Sequence, residues 1–467
     1  MIDFLESRRI EQNYRWLHGD LFIVMNIAGT KAAEVFRKEY GNGKRILCLC
    51  GHGNNGGDGI ISAKDLSRDN EVKVILFTDS QGNISSMNER AIQYGSHIEI
   101  KKNPDSDEIK KTCEWAEVII DAMLGTGISG ELRKPYNNIV KIANMSKKDI
   151  LSIDIPTGLG AHLQINAKHT VTFVDKKPEM SEKNSGIIHI TDIGFGNEPV
   201  DYTGAGEMVY FPLLKDDGHK GDNGRLHVIA GWSYPGAGYM SSKAAGASLV
   251  DLISLSVPDH LYSIFSSRFT GEIVVRSSTK DEENLMERAS TILIGPGLGQ
   301  GPQNLKLLER TLRMKKKFVL DADALRMLPE IMDLLPEGTI LTPHASEFRQ
   351  LSGWDATEEN AIKFAKEHNV VILLKGKVDL ITDGERVVRS RGGNPRLAMG
   401  GTGDMLAGLA AGFLCRGMAP LQAANLASFV NKLNAERIAV NKSYWFDVDE
   451  LLSGLSYTMA ELSRFIS

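Results

Sequence analysis

Gly51-His-Gly-Asn-Asn-Gly-Gly-Asp-Gly59 directly follows a short apolar run, Arg45–Cys50, and precedes a helical pattern. Strand, glycine loop and helix, in that order, aim backbone N–H groups at a phosphate. Glycine is needed there because side chains would block close approach and because a positive φ costs it little. Asn54, Asn55 and Asp58 add polar side chains to the same loop, a mixture that a plain tight turn rarely needs. Asp121-Ala-Met-Leu-Gly-Thr-Gly127 is a second strand-to-loop turn, equally compatible on its own with a simple connection. Ser152-Ile-Asp-Ile-Pro-Thr-Gly158 is a third. It sets Asp154 at a strand end, where a carboxylate can meet a ligand or merely cap the next turn.

Near the other end, Gly400-Gly-Thr-Gly-Asp404 leads into the apolar stretch Met405–Cys415. Successive N–H groups at a helix start form an anion hole. Asp404 beside it could take the proton of an acceptor hydroxyl. A base at the nucleophile and positive dipoles at the transferred group are what phosphoryl transfer requires. A helix capped by Thr402 or Asp404 would use the same residues without catalysis, but Gly392-Gly-Asn-Pro395 adds a second ligand-like loop.

Elements must hold these residues in place. The runs Arg45–Cys50, Val72–Phe77, Val118–Ile120 and Ile150–Ile155 alternate with glycine turns and helical patterns, predicting a parallel sheet with helices on its faces. In such sheets ligands bind at the carboxyl ends of the strands. A second series comprises Leu226–Ala230, Leu252–Val257, Thr291–Ile294, Phe318–Leu320, Thr339–Leu341 and Val370–Leu374. A Gly, Asp and Lys-rich stretch, Thr203–Asn223, separates the two series. The expectation is two α/β domains, 1–210 and 211–467. A chain of 467 residues with 42% hydrophobic and 24% charged content is ordinary for a globular protein. A net charge of -5 argues against nucleic-acid or membrane-surface partners, which select basic proteins. No run approaches a membrane span, and the start does not read as a signal peptide. Cys48, Cys50, Cys113 and Cys415 form no Cys-x-x-Cys pair and read as buried, inert thiols in a reducing cytoplasm.

In their order and spacing, the first three motifs resemble the NAD(P)HX epimerase family. Thr170-Val-Thr-Phe173, Lys177-Pro178 and Asp192-Ile-Gly194 also fit it, whereas Met25-Asn-Ile-Ala-Gly29 matches its usual helix start only loosely. The resemblance implies a Rossmann-like αβα domain. It implies that Asn54, Asn55, Gly56, Gly57 and Asp58, with Gly125, Thr126, Gly127, Ile128, Ser129, Gly130 and Glu131, hold a hydrated dinucleotide. Tyr136 is a further substrate contact, and Asp154 meets the hydrated ring as the catalytic group. Asn55, Asp121 and Thr157 surround a potassium ion, whose preference is for oxygen donors.

Gly-Thr-Gly-Asp resembles the ribokinase-like superfamily. Lys220-Gly-Asp-Asn-Gly224, Gly231, Gly236-Ala237, Gly295-Pro-Gly-Leu-Gly299, Leu320-Asp-Ala-Asp-Ala-Leu325, Leu341-Thr-Pro-His344 with Glu347, and Leu374-Lys-Gly376 narrow this to the NAD(P)HX dehydratase family. Ala345-Ser346 departs from the family's usual Pro-Gly. The resemblance implies a second three-layer αβα domain with Asp404 as catalytic base. Ala237, Gly299 and His344 would contact the hydrated dinucleotide. Lys375, Gly376, Lys377, Val378 and Asp379, with Gly403, would hold ADP or ATP, with ADP preferred and magnesium on its phosphates. It also implies a homo-oligomer. The competing expectation is a ribokinase-like small-molecule kinase fused to a ligand-binding or scaffold domain.

Overall fold

The first apolar run becomes strand β1, Arg45–Cys50. A computed structural model describes residues 3–95, 97–126, 130–214 and 216–466. It divides into two compact units, Met1–Gly196 and Asn197–Ser467. In the first unit β1 is joined by β2 (Glu71–Leu76), β3 (Ile100–Lys102), β4 (Val118–Ala122), β5 (Asp149–Ile153), β6 (His169–Phe173) and β7 (Ile187–Thr191). The sheet order is β3-β2-β1-β4-β5-β6-β7, and every pair is parallel. The chain therefore reverses direction across the sheet between β1 and β4, so the loops after these two strands face one crevice.

Alternation along β1 sends its residues to two helical layers. Leu47 and Leu49 join a core with Ile109, Cys113, Ile139 and Val140, which come from the helices Ser106–Trp115 and Tyr136–Met145. On the other face the helix Asn54–Leu66 lies so close that a Cβ on Gly59 would stand 2.9 Å from Cys50 Sγ. The loose match at Met25 has a packing role. Its thioether lies against Gly57, while Gly29 meets Ile61, so the helices Phe22–Tyr40 and Asn54–Leu66 nearly touch. All four cysteines are free and buried, as expected, and burial pushes the Cys113 thiol up to about 11. No helix among the described residues is long and apolar enough to cross a membrane.

Gly56 is the tightest backbone requirement in the first glycine loop. A Cβ there would sit 1.9 Å from the carbonyl oxygen of Gly51. Gly56→Ala should therefore destabilise the first unit by about 3 kcal/mol. Its unfolding transition should fall by roughly 6–12 °C, read by circular dichroism.

The second unit holds β8 (Arg225–Ile229), β9 (Leu252–Val257), β10 (Ile273–Arg276), β11 (Thr291–Ile294), β12 (Lys317–Leu320), β13 (Ile340–Leu341), β14 (Val371–Leu374), β15 (Asp379–Thr382) and β16 (Val387–Ser390). Their order is β10-β9-β8-β11-β12-β13-β14-β15-β16. The sheet is parallel up to β14, and β15 and β16 return antiparallel. Phe318, Leu320, Phe348 and Phe364 belong to the core on one face. Opposite, the helix Thr402–Cys415 is apolar all round and buried, as its sequence implied. Its Gly408 and Gly412 let it approach the helix Pro235–Gly246 and the turn after it: a Cβ on Gly408 would meet Ser241 O at 2.2 Å and one on Gly412 would meet Ser248 Oγ at 2.3 Å.

Residues 197–210 group with the second unit, whereas the sequence boundary falls near 210. The reason is backbone pairing. Thr203 N donates to Arg389 O at 2.8 Å and Thr203 Oγ1 to Ser390 Oγ at 2.9 Å, so this segment lies along the edge strand β16.

Candidate active sites

Several helices here are capped by a side chain, as Asp3, Ser85, Asp105, Thr279, Thr357 and Asp447 show. The helices Asn54–Leu66 and Thr402–Cys415 begin instead at Gly53 and Gly401, and neither has a side-chain cap. Their first N–H groups remain available to an anion. Thr402 is not the cap of its helix. Its hydroxyl donates backwards, to Leu397 O at 2.6 Å and Met399 O at 3.0 Å.

In the first unit, Asp121 ends β4 fully buried. Its Oδ1 accepts from Thr157 Oγ1 at 2.7 Å; its Oδ2 accepts from Thr157 N and Ser152 Oγ, both at 2.9 Å. Burial raises its carboxyl, and these hydrogen bonds oppose the rise. Asn55 approaches the same loop, its Cβ near Gly125, and both amide atoms are buried without a hydrogen-bond partner. Asp154 follows β5 with φ of 68°, a left-handed backbone that a non-glycine residue adopts only where the surroundings enforce it. Its Oδ2 accepts from Thr126 N at 3.0 Å and its Oδ1 lies 3.8 Å from Lys177 Nζ. A Cβ on Gly125 would stand 2.8 Å from Asp154 Oδ2, so the second loop needs glycine to admit this carboxylate. Asn55, Asp121, Gly125, Thr126, Asp154 and Thr157 are thus brought together.

Other expected residues have different surroundings. Gly56 and Gly57 are buried in packing contacts, and Asn54 and Glu131 are exposed. Glu131 accepts from His162 N at 3.2 Å, and Gly130 has φ of 92°. The Tyr136 hydroxyl lies 3.0 Å from His52 Nδ1, with burial pushing it up to about 12. Gly127, Ile128 and Ser129 lie outside the described residues. Two further groups take roles that the sequence does not assign them. Lys177, 3% exposed, faces Asp154 while donating to Phe173 O at 3.0 Å. Glu11, on the first helix, is pushed up to about 7 by burial and then by the charge of Asp154. Asp58 is driven well above the carboxylate range by burial, Asp154 and Glu11. The result is a cluster of acids sharing one lysine.

In the second unit Lys375 links the acids. Its Nζ is 2.9 Å from Asp321 Oδ1 and 3.8 Å from Glu347 Oε2, and a Cβ on Gly403 would lie 3.5 Å from it. Burial pulls the Lys375 ammonium down, yet Asp321 and Glu347 leave it raised overall. Asp404 is pushed up to about 7, by burial first and then by the Asp321 charge, against the opposing pull of Lys375. Asp321 and Asp323, which could have been a solvated strand end, are buried. Asp323 accepts from Gly299 N at 2.7 Å and pairs with Arg326 at 2.9 Å, so it shapes the Gly299 loop. Ala237 is buried at the start of the helix Pro235–Gly246. His344 has two roles. It caps the helix Ala345–Ser352 through a reciprocal box with Glu347, and it lines the adjoining cavity. The Ala345-Ser346 departure fits inside that helix, with Ser346 Oγ 3.2 Å from His344 Nδ1.

That cavity has a volume of about 780 Å³ and is lined by Lys375, Gly376, Lys377, Asp379, Gly393, Asn394, Gly403 and Lys432, among others. Val378 is exposed at the tip of its turn. The Asp379 carboxylate is already engaged by Gly376 N, Ser428 Oγ and Lys432, which fixes the turn rather than leaving it for a ligand. Asn431 was not foreseen. It lines the cavity from the helix Pro420–Lys442, and its side-chain oxygen is buried without a partner.

The two units are thus a Rossmann-like and a ribokinase-like αβα domain. Residues 21–179 match the family model "YjeF-related protein N-terminus", and residues 226–456 match "NAD(P)H-hydrate dehydratase". The bifunctional NAD(P)H-hydrate repair enzyme Nnr of Archaeoglobus fulgidus is 32% identical, covering 99% of this chain and 100% of its own. That of Pyrobaculum aerophilum is 32% identical, covering 97% of each. A ribokinase-like superfamily protein from Enterococcus faecalis V583 superposes with a TM-score of 0.53 at 25% identity, over 56% of this chain and 96% of its own. The ADP/ATP-dependent NAD(P)H-hydrate dehydratase from Bacillus subtilis does so at 0.50 and 24%, over 56% and 99%, which shows the shared fold. The chain belongs to the family of bifunctional NAD(P)H-hydrate repair enzymes.

Proposed function

We propose that the first unit interconverts the R and S epimers of NAD(P)HX and that the second dehydrates the S epimer to NAD(P)H, with ADP as the preferred phosphoryl donor over ATP. The observation that supports this most is Asp404. Its carboxyl, held at about 7 beside an uncapped helix start at the wall of a nucleotide-sized cavity, is a base matched to neutral pH. Hydroxide is a poor leaving group. Asp404 takes the proton of the C6 hydroxyl as that oxygen gains the phosphoryl group. The ring nitrogen then expels phosphate, and loss of a C5 proton restores the double bond. In the first unit a carboxyl group gives its proton to the departing C6 oxygen. The ring nitrogen's lone pair carries the cation until the oxygen returns on the other face.

Asn55, Asp121 and Thr157 fit a potassium ion, because Asn55 has an unpartnered buried amide and all three carry oxygens. When bound, the ion would supply positive charge beside the dinucleotide. Magnesium would be carried on the nucleotide's phosphates, whose charge it would neutralise. Under the same reading Asp154 and Asp404 are the catalytic residues, Gly403 and the Lys375–Asp379 turn hold the nucleotide, and Ala237, Gly299 and His344 meet the hydrated ring. The protein then works as a cytoplasmic homo-oligomer.

The test is racemic hydrated NADH mixed with the protein, potassium, magnesium and either ADP or ATP, with absorbance of restored NADH followed. Full conversion faster than spontaneous epimer exchange is expected with ADP. No NADH with either nucleotide would favour a small-molecule kinase fused to a binding or scaffold domain. The pH profile supplies a sharper check. The active form of Asp404 is deprotonated, so kcat/KM should fall as pH drops through about 7. Asp321→Asn removes a charge that raises Asp404 and should move this limb to lower pH. Lys375→Met removes the opposing cation and should move it higher. Shifts in one direction for both variants would contradict the proposed network.

A further inference from the structure

His169 opens β6, and His189 is the middle residue of β7. In the parallel register Val171 is opposite His189, so the two histidines project from one face of neighbouring strands. His169 Nδ1 is 3.0 Å from His189 Nε2, and the rings stack with centroids 5.3 Å apart. Glu39, from the last turn of the helix Phe22–Tyr40, converges on them: one donor atom from each residue lies within 4.8 Å of the others. None of the three belongs to the sites described above. His169 is buried, His189 half-buried and Glu39 exposed, so the cluster has a protein wall and a solvent entrance.

Two neutral imidazoles sharing one N–H account for the 3.0 Å contact. They do not account for a carboxylate converging on the same point. Burial holds both imidazoles below their usual range, which keeps the neutral, lone-pair-bearing form that a metal requires. Beside them the Tyr40 hydroxyl is buried without a hydrogen-bond partner, and its ring meets His169 edge-on.

We propose that Glu39, His169 and His189 bind a borderline transition-metal ion, zinc in the first instance, with water completing the coordination. Two imidazoles and one carboxylate are a zinc donor set, and nitrogen donors disfavour magnesium and calcium. Tetrahedral bonds of about 2.0–2.1 Å put two ligating nitrogens roughly 3.3 Å apart, close to the separation already present. The exposed Glu39 side chain swings in to close the site. The ion pins the helix Phe22–Tyr40 to β6 and β7, so its effect is on stability and not on the chemistry at Asp154.

The test uses the full chain stripped with a chelator. Zinc is titrated in competition with a chromophoric zinc chelator, and thermal unfolding is followed with zinc, with magnesium and with neither. One zinc per chain and a higher unfolding temperature with zinc alone are expected. Glu39→Gln and His189→Ala both alter solvent-facing side chains and should fold, as circular dichroism will check. Each should weaken zinc binding by about 100-fold and abolish the thermal shift. No zinc binding by the wild type, or wild-type affinity retained in either variant, overturns the proposal. Neither result depends on epimerase or dehydratase activity.

Discussion

Asp404→Asn is expected to lower dehydratase turnover by about 10²–10⁴-fold, the usual contribution of a positioned base. Nucleotide affinity should change little, because Thr402, Gly403 and Leu406 line the cavity from this helix while Asp404 itself does not. Epimerase activity should persist, since Asp154 and its partners belong to the other unit. Stability separates catalysis from folding. A carboxyl raised to about 7 in the folded state binds its proton more tightly than in the unfolded chain. Its contribution is therefore lost as pH rises from about 4 through about 7. An amide does not titrate, so Asp404→Asn should be no less stable than the wild type above pH 7. Single-turnover dehydration with urea unfolding at pH 6 and pH 8 measures both. A variant that unfolds earlier at pH 8 would place Asp404 in the fold and not in the reaction.

What was legible in the sequence is what is local. The glycine loops after β1 and before Thr402 identify themselves because a phosphate-sized approach demands glycine in consecutive positions. The central strands are short apolar runs buried on both faces, and β1, β9 and β11 were delimited to the residue. The edges were not seen. β3 is Ile-Lys-Lys, half solvated, and β10 and β16 carry arginines in their interior or at their end. Their strand character comes from a neighbour, not from their own pattern. The same division runs through the sites. Asp154 and Asp404 stand in motifs. Glu11 and Asn431 sit in ordinary helical sequence and become functional candidates only when the chain brings them to an acid cluster or a cavity. Lys177 was quoted only as part of a motif, and its pairing with Asp154 depends on the turn after β6, where even Val174 takes φ of 66°. The sequence sets the boundary near 210, and the division after Gly196 was not legible for a similar reason, since the segment between them pairs with β16, far along the chain.

Asp154→Asn is expected to reduce epimerisation by about 10²–10³-fold and to leave dehydration of the S epimer intact. With racemic hydrated NADH and excess nucleotide, the variant should restore NADH rapidly to about half completion and then slow to the rate of spontaneous epimer exchange. The geometry is the reason for choosing this acid among three. Glu11 and Asp58 are both pushed upward by burial and by neighbouring negative charge. Asp154 alone of the three has a lysine 3.8 Å away and a backbone N–H on its second oxygen. Unlike environments are what give neighbouring carboxyl groups unlike roles. Asparagine keeps the shape and the hydrogen bond from Thr126 but can neither carry nor return a proton. It also relieves the charge that raises Glu11, so the Glu11 carboxyl should titrate lower in the variant. Carbon-13 NMR of labelled glutamate would show this even if the enzyme were inactive. An unchanged epimerisation rate together with a shifted Glu11 titration would move the catalytic role from Asp154 to its neighbours while confirming that the acids share one field.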